Sequence, residues 1–286
     1  MRAPLATLLI FGMTVLAAAA AAENRDWLTS VDEALELAQE KDQPVLVDLY
    51  AEWCGWCKRL EEDVFSTPLF EEFVEDYVLL RVDTEDGGEG TRLQQRFKAY
   101  SLPTTLVLDH RQTLIAEVQG YAPAAQYVAT IEREIASFDE LIRGYERFKE
   151  SDDPRVLGIL ADEWHKRNDG DRAATLYRQL IALGNLTADQ MLRTRYQLVD
   201  ALRIATRYGQ AMTELSAARD QAAQMNETAL VQRFDLMAAQ VSLDRGDCDT
   251  ARVTLEAFLG TYPASDLSKA AKRTLRDLDA EGYRCV

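Results

Sequence analysis

The chain has 286 residues, enough for two cores of ordinary size, and its 47% hydrophobic and 28% charged residues describe soluble globular domains. A formal charge of −16 would repel nucleic acid and anionic lipid alike, so neither is expected as a partner. Basic protein partners remain open.

Arg2, the apolar run from Leu5 to Ala22 and the small residues before Glu23 read as a secretory signal peptide, residues 1–22, cut near Ala22. No membrane insertion is expected once it is removed. An uncleaved anchor is the competing reading, since the run is marginally long enough to span a bilayer. An exported chain meets an oxidising compartment. Asp26 to Glu40 then places Trp27, Val31, Ala34, Leu35 and Ala38 at helical spacing, with Ser30 and Asp32 available as caps.

Val45 to Tyr50 is a short apolar run rich in β-branched residues, the pattern of a strand covered on both faces, and Lys58 to Val64 can continue as a helix. Cys54 and Cys57 therefore fall at a strand-to-helix junction. Cys54 sits at the helix N-terminus, where unpaired N–H groups and the positive end of the helix dipole favour a thiolate. Cys57 lies about one turn on, within reach for a small disulfide ring. Such a pair exchanges two electrons by thiol-disulfide exchange, the outer thiolate attacking and the inner one resolving the mixed disulfide. The same spacing also serves half a zinc site, but Cys248, Cys285, His110 and His165 stand at no ligand spacing, so neither a metal nor a cofactor is expected. His110 reads as a turn residue and His165 as a helix-surface one.

Downstream, Leu69 to Tyr77 continues helical after Pro68. Residues 87–90 read as a flexible surface turn before a second amphipathic helix near Thr91. Leu106 to Leu108 and Leu114 to Val118 read as a strand pair around the turn at residues 109–112, and Pro123 to Phe138 as a closing helix. The expected class is α/β, a small mixed sheet with helices on both faces. Asp48, inside the apolar strand, should have a raised pKa unless water or a partner relieves it. Trp53 flanks the thiols, and Lys58 is a charge near them.

The segment Val47 to Lys58 resembles the active-site segment of thioredoxin-fold proteins nearly residue for residue. Val78 to Asp83 is similar to the next strand of that family, Tyr100 to Leu108 to the segment whose cis-proline faces the cysteines, and Gly120 to the glycine before the last helix. The resemblance covers residues 27–137, with the boundaries of the domain at 23–138. Phe65 to Pro68 and the long connection from Asp83 to Phe97 look most like bacterial envelope electron-transfer domains, which implies a periplasmic location. It also implies a proton-accepting role for Asp48 behind Cys57, and a cis-Pro103 that presents the backbone of Leu102 beside Cys54 for strand-like pairing. Trp53, Gly55, Trp56, Leu102 and Pro103 would then meet the substrate. Trp56 stands where thioredoxins proper carry proline, so their redox potential cannot be copied.

From Asp139 onward no strand signal returns. Residues 139–153 read as a helical linker and 154–286 as a helical array of seven amphipathic segments, from Val156 to Glu281. The turn glycines Gly170, Gly209 and Gly246 recur at intervals of 39 and 37 residues, a period that suits stacked helix pairs. The stretch Gly246 to Ala251 with Tyr262 and Pro263 looks similar to a tetratricopeptide repeat, with a plain helical bundle as the alternative. Cys248 and Cys285 are candidates for a structural disulfide, contributing about 4 kcal/mol on the chain-entropy model.

Two functions follow from different classes. The first is an exported thiol-disulfide oxidoreductase that reduces or isomerises disulfides of client proteins, fed with electrons by an unidentified redox partner, with the helical domain recruiting clients. The second is a non-catalytic scaffold that keeps the fold for binding. Cys54, Cys57, Asp48 and Pro103 together favour the first, because a scaffold needs none of them.

Overall fold

The β-branched run Val45–Tyr50 forms strand β1 at the centre of a four-stranded sheet. In the computed structural model, which describes residues 27–279, β2 (Val78–Asp83) lies parallel to β1 on one side. On the other side β3 (Thr104–Leu108) runs antiparallel to β1 and β4 (Leu114–Gln119) antiparallel to β3, giving the order β2-β1-β3-β4. The signal-peptide expectation falls on residues 1–22, outside the described residues.

Alternation along β1 divides the core into two layers. Val45, Val47 and Leu49 point to one face with helix α1 (Val31–Lys41) and α4 (Glu89–Phe97). Leu46 points to the other, with α2 (Gly55–Leu60), α3 (Pro68–Phe73) and α5 (Ala124–Phe148). The mixed sheet with helices on both faces thus has the expected form. Helix α1 begins where its cap allows: Ser30 accepts from the Glu33 N–H at 3.4 Å. Trp27, expected on the buried face of that helix, precedes it and packs against Phe65 with ring centroids 5.2 Å apart. Phe65 reaches it because α2 widens into a π-helical turn over Glu61–Phe65. Leu28 adds a short parallel bridge to Leu80 at the outer edge of β2.

The glycine-rich stretch after β2 is more ordered than a flexible turn. The Asp86 carboxylate accepts from the N–H groups of Gly88, Gly90 and Thr91 and from the Thr91 hydroxyl, at 2.6 to 3.1 Å. Gly90 itself packs on the backbone of Asp83, where a Cβ would stand 2.0 Å from the carbonyl oxygen.

Helix α5, expected to close near Phe138, runs on to Phe148 through the segment expected as a helical linker. Seven further helices follow: α6 (Pro154–Lys166), α7 (Gly170–Ala182), α8 (Ala188–Ile204), α9 (Tyr208–Gln224), α10 (Thr228–Asp244), α11 (Cys248–Thr261) and α12 (Ser268–Asp279). Each packs on the next, so one continuous core runs from Phe138 and Leu141 of α5 to α10. The turns between α6 and α7 and between α8 and α9 differ from expectation. Asn168 and Thr206 take the left-handed conformation there, while Gly170 and Gly209 lie inside the first turns of α7 and α9; of the three recurring glycines, Gly246 is the one that is left-handed. His165, expected on a helix surface, instead meets the Asp200 carboxylate at 2.8 Å. Burial works to raise the Asp200 carboxyl, but His165 and Arg203 together hold it down at about 2.

The helical part grips the far end of the sheet. The Leu114 N–H donates to the Arg167 carbonyl at 2.7 Å, Arg167 Nη1 donates back to the carbonyls of Leu114 and Ile115 at 3.0 Å each, and Asn168 donates to the Gln112 carbonyl at 3.1 Å. Leu114 pairs with Leu108, which pairs with Val45, so this grip is at the end of β1 opposite to the cysteines.

Candidate functional site

The chain leaves β1 at Tyr50 and turns at once into α2, and that junction places both cysteines. The Cys54 N–H donates to the Ala51 carbonyl at 3.0 Å, which closes the turn, and Cys54 then stands as the N-cap of α2. Its Sγ accepts from the Cys57 N–H at 3.1 Å. The first thiol therefore has a backbone donor aimed at it, as a thiolate at a helix N-terminus requires. Cys54 and Cys57 are joined in a disulfide with their Cα atoms 5.3 Å apart. They are 4% and 2% exposed, so neither sulfur projects far from the surface. A Cβ on Gly55 would meet nothing within 4 Å, which leaves the outer side of the ring open.

The sequence-predicted neighbours converge here. The Leu102–Pro103 peptide is cis, and Leu102 packs on the cluster of Ala51, Cys54 and Cys57. The Pro103 carbonyl accepts from the Gly120 N–H at 2.8 Å, fixing the turn after β4 beside it. Trp53 and Trp56 are 69% and 55% exposed on the surface around the pair. Cys248 opens α11 and is not a free thiol, while Cys285, and with it the expected pairing, lies outside the described residues.

Asp48 lies beneath, on the face of β1 that carries α2 and α5, and is 1% exposed. Its cross-strand neighbours are Arg81 on β2 and Thr105 on β3. Arg81 Nε stands 3.3 Å from Asp48 Oδ2, an ion contact without hydrogen-bond alignment, and Asp48 Oδ1 has no hydrogen-bond partner. The same guanidinium donates from Nη2 to Glu61 at 2.9 Å and lies over the Tyr50 ring at 4.5 Å. Thr105 shares a 2.5 Å hydrogen bond with the Tyr127 hydroxyl, which completes a polar strip across the apolar layer.

Burial drives the Asp48 carboxyl up to about 7; Arg81 pulls it down and Glu61 adds to the rise. Glu61, half-exposed, is held below the usual carboxylate range by its hydrogen bond to Arg81. A cavity of about 290 Å³ lined by Tyr50, Glu52, Cys57, Lys58, Glu61 and Arg81 opens beside the inner cysteine. A carboxyl that titrates near neutral pH can both take up and release a proton under ordinary conditions, which is what a general base requires.

Arg81 and Glu61 were not singled out from the sequence. Glu61 carries a local signal, four residues after Cys57 on the same helix. Arg81 carries a fainter one, a lone cation in an apolar strand, and its pairing with Asp48 depends on which strands become neighbours. Among the described residues no cluster of acids, histidines and cysteines is placed to hold a metal.

Residues 26–110 match the family model described as thioredoxin-like. Over 112 residues the chain is 31% identical to the thiol:disulfide interchange protein DsbD of Ralstonia nicotianae, covering 38% of this chain and 18% of that protein. Over 95 residues it is 37% identical to the DsbD of Yersinia pestis, covering 32% of this chain and 16% of the relative. A solved structure, the oxidised C-terminal domain of Neisseria meningitidis DsbD, covers 38% of this chain and 99% of its own at 18% identity, with a TM-score of 0.33. The chain thus spans less than a fifth of the length of the curated relatives it matches. Over residues 26–110, most of its α/β part, the chain is similar to thioredoxin-like domains, and it shares sequence with the thiol:disulfide interchange proteins DsbD.

Proposed function

We propose that the chain is an exported, periplasmic thiol-disulfide oxidoreductase that reduces or isomerises disulfides in client proteins, with electrons handed on by a separate redox partner. The observation that carries this reading is the Cys54–Cys57 disulfide with Cys54 as the N-cap of α2 and Leu102 of the cis Leu102–Pro103 peptide packed on it. In the reduced state the Cys54 thiolate attacks one sulfur of a client disulfide. The client S–S bond breaks, one client sulfur leaves as a thiolate and takes a proton from water, and the other stays bonded to Cys54. Cys57 then gives its proton to Asp48 and attacks Cys54. The mixed disulfide breaks, the second client thiolate leaves, and the Cys54–Cys57 bond forms, so two electrons have passed to the client.

The pair acts as a reductant or isomerase more than as a strong oxidant. Strong oxidants owe their potential to a heavily stabilised thiolate, whereas here no histidine adjoins the cysteines and a buried acid disfavours further negative charge. The tetratricopeptide-like array recruits clients. Its groove of about 250 Å³ among Tyr196, Arg203, Gln240 and Thr274 is the concavity for that role.

Insulin reduction with dithiothreitol as electron source tests the reading. The full chain should accelerate it and Cys54→Ala should not; a chain inert in this assay would be the non-catalytic scaffold instead. A Cys54 pKa near 4, or a potential well above about −180 mV, would reverse the direction of electron flow.

A further inference from the structure

Trp56, the residue inside the Cys54–Cys57 ring that departs from the thioredoxin pattern, is braced by two neighbours. Its indole lies against the Tyr121 ring with centroids 5.5 Å apart. The Arg59 guanidinium sits 5.7 Å from the Trp56 ring centre and 6.0 Å from that of Tyr121. Asp63 closes the cycle, accepting from the Tyr121 hydroxyl at 2.9 Å and from Arg59 Nε at 3.4 Å on the same oxygen. Tyr121 is itself anchored, because Gly120 turns with φ 82 and donates its N–H to the Pro103 carbonyl. The stack therefore spans from the cysteine helix to the cis-proline segment, across one flank of the disulfide.

The indole nevertheless stays 55% exposed. The brace fixes a large apolar side chain without burying it, and fixing it in advance removes the ordering cost that binding would otherwise carry. Arg59 already occupies the cation's place over the two rings, so the remaining surface of Trp56 favours another ring over a lysine or arginine. We propose that Trp56 is a specificity-determining residue, positioned by Tyr121, Arg59 and Asp63, that selects clients with an aromatic side chain next to the reacting cysteine. The proposal rests on the oxidoreductase reading, since it concerns what docks against that disulfide.

The test uses two disulfide-linked peptide homodimers, identical except that the cysteine is flanked on both sides by Phe or by Gly. The full chain, reduced and freed of reductant, is mixed with each in single turnover, and the rate is followed against peptide concentration. The wild type should prefer the Phe peptide by about tenfold in the apparent second-order constant, the difference residing in the half-saturating concentration. Trp56→Ala and Tyr121→Ala should bring the ratio to about one, while Tyr121→Phe, which keeps the ring stack, should retain most of it. The ratio cancels both the fraction of folded protein and any change in the thiols themselves. A wild-type ratio near one, or a Trp56→Ala ratio equal to the wild type's, would overturn the proposal. A wild-type chain that reduces neither peptide would remove the oxidoreductase reading itself, told apart because the rates vanish and no ratio is left to compare.

Discussion

Arg81 Nε stands 3.3 Å from Asp48 Oδ2 while the same guanidinium holds Glu61 at 2.9 Å, so one cation is divided between a buried and an exposed carboxylate. The division explains why the two acids move in opposite directions. Asp48 has lost its water and receives only a poorly aligned contact in exchange, so its carboxyl rises to about 7; Glu61 keeps water, gains a good hydrogen bond and falls. A buried carboxylate in this condition is a liability to folding at neutral pH and an asset to proton transfer.

The stability consequence has a definite sign. An unfolded aspartate titrates near 4, so between about pH 4 and pH 7 the folded chain binds more protons than the unfolded one, and stability falls as pH rises through that window. Asp48→Asn removes the slope. Urea unfolding of the oxidised protein should show the variant more stable than the wild type by on the order of 3 kcal/mol at pH 8 and nearly equal to it at pH 4. An advantage of equal size at both pH values would mean that Asp48 is not the group responsible.

Arg81→Gln withdraws the one influence that lowers the Asp48 carboxyl. Its titration, read from the carboxyl carbon resonance, should move upward by about one unit, and the resolving step in single turnover should shift to higher pH with it. Glu61→Gln should move both downward, because it removes a negative charge and leaves Arg81 undivided. Arg81→Lys keeps the charge and should restore part of the wild-type profile. Titration curves that superimpose across all four proteins would dissociate Arg81 from the site.

What was legible in the sequence is what local pattern controls. β1, the helix after it and Cys54 as its cap are encoded within a few residues of themselves, the array helices announce themselves by apolar periodicity, and cis-Pro103 follows from the family resemblance. The reading failed where distant segments decide. The Arg81–Asp48 contact needs β2 beside β1, and the start of β3 is hidden because Thr104 and Thr105 are polar residues that are nonetheless buried, Thr105 with a partner as distant as Tyr127. The end of α5 was placed early because composition changes near Asp139, although no proline interrupts the helix there. The turns of the array were assigned to glycines, whereas Asn168 and Thr206 supply the left-handed residues.

Two of those glycines should respond in opposite ways to the same change. At Gly170 a Cβ would lie 2.3 Å from the Ala201 carbonyl oxygen and 2.5 Å from the Ala205 nitrogen, backbone atoms of the next helix pair that cannot step aside. Gly170→Ala should cost about 2 kcal/mol or more by forcing α7 from α8. At Gly209 a Cβ would meet nothing within 4 Å, and the residue is helical. Gly209→Ala should therefore stabilise by about 0.5 kcal/mol, since alanine loses less backbone freedom on folding. Urea midpoints of the two variants moving the same way would contradict this assignment of the turns.

The division of labour between Cys54 and Cys57, and the part played by the array, can be read from one trapping experiment. Cys57→Ala should leave Cys54 covalently attached to its clients, because the mixed disulfide loses its intramolecular escape, and Cys54→Ala should trap little. Cutting the chain after Glu150 is a poor way to ask what the array adds, because it would bare Phe138, Leu141, Ile142 and Tyr145 of α5, which pack into the array core. Changes inside the groove are cleaner: Gln240→Ala and Thr274→Ala in the Cys57→Ala chain remove lining side chains and leave the Arg167 grip on Leu114 in place. A client that engages both the groove and Cys54 has to span the distance between them. Long or extended clients should therefore be the ones lost from the trapped set when the groove is altered, and short ones retained. Trapped sets that are the same with and without the groove changes would assign recruitment to the surface around Trp53 and Trp56 alone, and leave the array as a stabilising partner of α5.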